Sequence, residues 1–222
     1  MVSLVRNLVL LASVLVGNAG FGQIVLSQSG QLPCARIVMP DNPTPSETYA
    51  AEELERWVRE ITGVGFGDQG KTAVFLERGD PALGEDGFRI YTDVNGVHVA
   101  GGVRGILYGV YELLETYGGI GWFSPERTVI PRRCRFDIPE NVDVTERPAF
   151  EMREALWFLA FDGDYAARLR LNGNAMRLQS KHGGHSHRFG GGLGNCHTFW
   201  KLVPFDEYGK THPEYFSERN GK

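Results

Sequence analysis

The alternation of apolar and polar positions resolves the chain into a short series of elements. ARIVM, residues 35 to 39, has the composition of a strand. In the following PDNPTPSETYAAEELERWVREITG, Thr44 is an N-cap, Pro45 suits the first helical position and Glu47 completes a capping box. Ala50, Leu54, Trp57, Val58 and Ile61 then recur at helical spacing, so one face of this helix is buried, and Gly63 ends it. TAVFLE (72 to 77) predicts a second strand. GFRIYTD and GVHVA predict a hairpin across Val94-Asn95-Gly96. A second helix runs from about Val103 to Tyr117, with Ile106, Val110, Leu113, Leu114 and Tyr117 as its apolar stripe and Gly118 as its cap. Strand, helix, strand, hairpin strand, helix is the order of a small α/β layer with helices on a mixed sheet.

The glycines at the start of the second helix raise the question of a phosphate-binding loop. Neither GK[ST] nor G-x-G-x-x-G is present. Gly102, Gly105 and Gly109 are spaced three and four apart beside the apolar stripe, which predicts close packing against another backbone. Each glycine inside a helix costs about 1 kcal/mol relative to alanine, so a packing reason is expected.

Pro125 to Pro148 is rich in proline and arginine and reads as a connection between domains. Beyond it, FEMREALWF predicts a strand, DGDYAARLRLNG a helix and NAMRLQS another strand, the opening of a new parallel unit. Two further features change the picture. The first is at the N-terminus: Arg6, the apolar run Leu8 to Val16 and the small residues before Gln23 form a secretory signal pattern. That run is well short of the ~20 residues of a membrane span. Export permits one disulfide among Cys34, Cys134 and Cys196, without saying which pair bridges. The second is charge. The 222 residues carry 23 Lys and Arg against 27 Asp and Glu, a net −4 that gives no footprint for nucleic acid.

TPSETYAAEELERWVREITG followed by GFRIYTDVNGVHVAGGVRGILYGVYELLE resembles the α/β domain that precedes the catalytic barrel in family 20 β-hexosaminidases. It is equally similar to the N-terminal domain of bacterial α-glucuronidases. The resemblance covers residues 35 to 145 and implies an accessory domain that does no chemistry. RPAFEMRE then resembles the first strand of the hexosaminidase barrel. The resemblance maps its Pro-x-Phe-x-x-Arg pattern onto Pro148, Phe150 and Arg153 and implies that Arg153 binds sugar, as a guanidinium fork is suited to do. An ion-paired surface arginine is the alternative. Arg170 and Asn172 match the family's next Lys-x-Asn, whereas Ala175 and Arg177 stand where it has two histidines, so N-acetylhexosamine specificity is not implied.

KHGGHSHRFGGGLGNCHTFW concentrates four of the six histidines. His182 and His185 are candidate hydrogen-bonding groups for sugar hydroxyls, and Trp200, Phe199 and Trp157 candidate stacking surfaces. A structural loop, or a metal site formed with His187, His197 and Cys196, are the other readings. Glycoside hydrolysis requires two carboxyl groups. Glu151, Glu154, Asp162, Asp164 and Glu214 are present, none in a catalytic motif, so the catalytic pair stays unassigned. Roughly seventy-five residues follow Pro148, against the ~250 of a whole barrel.

The expectation is therefore a signal peptide (1–22), an α/β accessory domain (23–145) and the incomplete beginning of a (β/α)8 TIM-like barrel (146–222). Its function would be that of the N-terminal portion of a secreted glycoside hydrolase-like protein acting on an oligo- or polysaccharide, with no cofactor. The alternative is a non-catalytic carbohydrate-binding or surface protein of the same architecture.

Overall fold

A computed structural model describes residues 22–184 and 197–218. The first unit is an α/β layer. Its sheet has the order β2 (Ala35–Val38), β3 (Thr72–Arg78), β5 (Gly96–Gly101), β4 (Phe88–Asp93), β9 (Asp143–Glu146). The β2–β3 and β3–β5 pairs are parallel, while β4 runs antiparallel to both β5 and β9. A separate antiparallel ribbon joins β1 (Gln23–Gln28) to β8 (Arg135–Pro139), and a short hairpin joins β6 (Gly121–Trp122) to β7 (Thr128–Val129).

The first helix, α1 (Pro45–Thr62), forms as its punctuation dictates. The Thr44 side chain accepts from the Glu47 N–H, Glu47 reaches back to the Thr44 N–H, and Gly63 adopts the left-handed conformation with φ 81°. Ala50, Leu54, Trp57, Val58 and Ile61 are all buried. The β4–β5 hairpin turns through Val94-Asn95, with Asp93 accepting from the backbone N–H groups of Asn95 and Gly96 at 2.8 and 3.2 Å.

The second helix, α2 (Gly105–Thr116), has no side-chain cap. The first of its orphan donors are taken up by the 84–87 loop instead. The N–H groups of Arg104 and Gly105 both donate to the Glu85 carbonyl, at 2.8 and 3.0 Å, and Gly102 donates to Gly87. Only glycine permits that approach, because a Cβ on Gly105 would lie 2.0 Å from the Gly87 carbonyl oxygen. The glycines are thus packing residues, as their spacing predicted. Gly105→Ala is expected to destabilise the protein by about 1–3 kcal/mol through overpacking, whereas Val103→Ala at the exposed neighbour stays within about 0.5 kcal/mol. Urea denaturation of the two variants checks this, and equal midpoints would contradict it. At the far end Gly119, with φ 72°, takes the left-handed position rather than Gly118.

Two expectations are revised. Pro125 to Pro148 is not a bare connection, since β7, β8 and β9 lie within it and Phe136 and Ile138 are buried. Its prolines flank short strands rather than mark a linker. After β9, the segments expected as strands (FEMREALWF and NAMRLQS) join no ladder among the described residues. A parallel strand needs a neighbour for its slanted hydrogen bonds, and the described residues present none to them. The expected helix is present but short, α3 (Gly163–Arg168), with Asp162 as its N-cap. These segments drape over α1 and α2. Ala160, Tyr165, Ala166, Ala167, Met176 and Leu178 enter the same core as Leu54, Trp57 and Leu114. This second cover explains why α2 is apolar almost all round. Residues 197–218 fold locally into α4 (Phe199–Leu202), α5 (Phe205–Tyr208) and a terminal turn around Phe199, Phe205 and Phe216.

Candidate functional site

Arg153 is positioned by Asn172. The Arg153 N–H donates to the Asn172 side-chain carbonyl at 2.8 Å, and the Asn172 and Gly173 N–H groups donate back to the Arg153 carbonyl at 3.0 and 3.1 Å. The guanidinium reaches the carbonyls of Arg170 and Phe150, each at 2.8 Å, and the Asp86 carboxylate, also at 2.8 Å. Three of its five donors therefore have protein partners. Its side chain retains 18% exposure.

Asp86 is the centre of this arrangement. Besides Arg153 it accepts from Arg104 Nε and from Asn172 Nδ2, the latter at 2.6 Å. Arg104 is almost wholly buried and also binds Glu85 and the Gly183 carbonyl. One carboxylate of the α/β layer thus ties α2, the Arg153 segment and the 171–173 turn together. The adjacent Tyr108 hydroxyl is held well above the usual phenol range by burial, and next by the Asp86 charge. The Arg104 and Arg153 guanidiniums counter both effects, and that of Arg153 lies 5.9 Å from the Tyr108 ring centre.

His182 is buried, and both ring nitrogens are engaged. Nδ1 accepts from the Gln179 N–H at 3.0 Å, which leaves Nε2–H to donate to Asp164 at 2.7 Å. Asp164 is held well below the usual carboxylate range, first by this bond and also by Lys181 at 2.6 Å. The His182 ring packs edge-on against Tyr49 of α1. The structure thus gives His182 an anchoring position, with both ring nitrogens engaged by the protein. Arg153 and His182 lie on one seam, linked through Asp86, Arg104 and Gly183.

Trp200 stands apart. It is 65% exposed on α4, and the contact it makes is with Lys201, 5.3 Å from its ring. Trp157 is half exposed and meets Tyr165 edge-on. His185, His187 and Cys196 lie outside the described residues. Among the described residues, no three His, Cys, Asp or Glu side chains form a metal-sized group. Cys34 and Cys134 are free thiols. Of the candidate carboxylates, Asp162 caps α3, Asp164 holds His182 and Lys181, and Glu154 accepts from the Ala175 N–H. Glu214 pairs with His212.

Sequence reasoning missed a second buried polar cluster. Glu53 of α1 accepts from Trp57 Nε1 at 3.0 Å, from the Tyr111 hydroxyl of α2 at 3.1 Å, and from Arg168 of α3 at 3.2 Å. The Arg168 guanidinium also lies over Trp57 and Trp122, at 5.1 and 5.2 Å. Glu53 does fall on the buried face of α1, one residue before Leu54. That placement was the available signal. Among the described residues, clefts of different size open on the layer. One of about 1260 Å³ lies at the amino ends of β2, β3 and β5 beside Cys34, Thr72 and Gly96. Open α/β sheets bind ligands at the opposite, carboxyl end.

A family model described as a domain of unknown function (DUF4838) matches residues 122–222. No curated protein matches the chain. Glycoside hydrolases are among the solved structures that it resembles. One is a GH115 4-O-methyl-α-glucuronidase with specificity for decorated arabinogalactans: 16% identity, 66% of this chain, 25% of that one, TM-score 0.48. Another is a Streptomyces plicatus β-hexosaminidase in complex with GlcNAc, with 19% identity, 68% and 30% coverage, and TM-score 0.43. A third is a GH138 enzyme targeting pectin rhamnogalacturonan II, with 23% identity, 43% and 11% coverage, and TM-score 0.33. The chain spans about a quarter of the α-glucuronidase and under a third of the hexosaminidase.

Proposed function

We propose that this chain is the N-terminal portion of an exported glycoside hydrolase-like protein that acts on oligo- or polysaccharides. In this reading the α/β layer is a support without chemistry. The segment from Pro148 onward is the start of the sugar-processing barrel. The observation that carries the reading is the seam itself. The Pro148, Phe150, Arg153 run is clamped to the layer through Asp86, so the layer sets the position of the arginine assigned to sugar. Two guanidinium donors of Arg153 are not used by the Arg170, Phe150 and Asp86 oxygens, and a ligand would share them with the adjacent Tyr108 hydroxyl.

A second reading, non-catalytic carbohydrate binding, is favoured by the exposed rings of Trp157, Phe199 and Trp200. The engagement of Asp162, Asp164 and Glu154 in local structure favours it too. Electrophoresis in gels cast with acidic and neutral polysaccharides, run beside a reducing-sugar assay, separates the two. Released sugar supports hydrolysis. Retardation without release, weakened by Trp200→Ala, supports binding. If neither release nor retardation is seen on any polysaccharide, both readings fall. N-terminal sequencing of the exported protein should begin near Gln23; retention of Leu8 to Val16 would contradict the signal peptide.

A further inference from the structure

The face of the sheet away from α1 and α2 carries an ordered array of side chains. Phe75 of β3, His98 of β5, Tyr91 of β4 and Asp143 of β9 stand opposite one another across four strands. The His98 ring is stacked between Phe75 and Tyr91, at centroid distances of 4.5 and 4.4 Å. In the next row, Glu77, Ala100, Arg89 and Thr145 follow in the same order. Ala100 is small, so the row sinks in the middle. The resulting groove, of about 470 Å³, is rimmed by Arg78, Asp80 and Arg147. That volume lies within the ~300–1,000 Å³ of small-molecule sites. The groove also sits at the carboxyl ends of the parallel strands β3 and β5, where open α/β sheets take their ligands.

We propose that this groove binds a sugar-sized oxyanion, whose carboxylate or sulfate group is received by Arg147 together with Arg78 and Arg89. The argument rests on which polar groups are already engaged. Arg89 is held by both oxygens of Asp143, at 2.8 and 2.9 Å, and lies 4.7 Å from the Tyr91 ring centre. Arg78 is held by both oxygens of Glu47, at 2.9 and 3.1 Å. Glu77 accepts from the Tyr91 hydroxyl at 2.8 Å and faces His98 Nδ1 at 3.2 Å. Asp80 accepts from the Ala82 N–H. Burial, then the hydrogen bond to Glu77, raises Tyr91 to about 12, so its hydroxyl remains a donor to Glu77.

What is left over is cationic. Nη1 of Arg78 and Nη1 of Arg89 have no hydrogen-bond partner among the described residues, and Arg147 has no ion-pair partner there. The lining holds as many carboxylates as guanidiniums, so the unengaged donors, not net charge, select the ligand. Two of the three guanidiniums are fixed by their carboxylates before a ligand arrives, which lowers the ordering cost of binding. This inference is independent of the role assigned to Arg153.

The test is an amide NMR titration of the whole chain with sodium glucuronate, glucose 6-sulfate, glucose and inorganic sulfate. Saturable shifts at Asp80, Ala100 and Thr145 are expected with a sugar anion and not with glucose. The anion that saturates at the lower concentration identifies the preferred group. Arg147→Ala, which removes an exposed side chain with no ion pair among the described residues, should weaken binding by about tenfold. Thr145→Glu, on the exposed edge strand, should abolish it. Four results overturn the proposal: no saturable shift, equal shifts with glucose, shifts reproduced by inorganic sulfate alone, or unchanged affinity in Arg147→Ala.

Discussion

Arg168→Ala is expected to lower the unfolding free energy by about 3–5 kcal/mol, because it leaves the buried Glu53 carboxylate with only the exposed Arg56, at 3.4 Å, as a cation. Glu53 and Arg168 have side-chain exposures of 3% and 7%, so water cannot replace the lost partner without opening the core. The Trp57 indole, the Tyr111 hydroxyl and the Arg56 guanidinium remain as donors to Glu53 and set the lower end of that range. For a chain of this length the change corresponds to a fall of roughly 6–20 °C in melting temperature. The double variant Glu53→Gln, Arg168→Met removes both charges, keeps the volume, and should recover at least half of the loss. Calorimetry of the three proteins decides the matter. A single-variant effect below about 1 kcal/mol would place the pair with weak surface bridges instead.

That pair also shows where sequence reading stopped. The helix signals were local and therefore legible: Thr44, Glu47 and Gly63 act on neighbours within one turn, and α1 forms as they predict. Four of the five strands of the layer were legible in the sequence, and the turn through Asn95-Gly96, but the edge strand β9 was hidden in a stretch that read as a connection. The seam was not. Arg168 meets Glu53 across 115 residues of chain, and Arg153 meets Asp86 across 67, with no local pattern to announce either contact. Arg104, a charged residue at a helix start, drew no notice in the sequence, yet it is buried because the 84–87 loop closes over it. His182 read as a cleft residue from the company of other histidines, but its neighbours in space are Gln179, Asp164 and Tyr49. The segments beyond Pro148 had strand-like composition. Composition alone cannot supply the partner strand that a parallel ladder requires.

The same seam yields the second large effect. Asp86→Ala is expected to cost about 3–5 kcal/mol, since one carboxylate serves Arg104, Arg153 and Asn172 at once. The loss should be uneven along the chain. Within the α/β layer, Arg104 keeps Glu85 and the Gly183 carbonyl, so α2 stays in place. Arg153 and Asn172 keep only backbone carbonyl acceptors, from Phe150, Arg170 and Glu151, which leaves the 148–184 segment with its weakest attachment at this point. Hydrogen exchange should therefore rise at the amides of Arg153, Asn172 and Gly173 before it rises in β3 or β5. Local opening of that kind draws on the low-stability end of the fold. Glu85→Ala provides the contrast. Glu85 also binds Arg104, but it is 62% exposed, so its removal should cost less than about 1 kcal/mol. Asp86→Asn, which keeps a carbonyl acceptor and loses the charge, should fall between the two. If Asp86→Ala and Glu85→Ala unfold at the same denaturant concentration, or if exchange rises uniformly, Asp86 does not hold the Arg153 segment on the layer, and the support role assigned to the layer loses its physical basis.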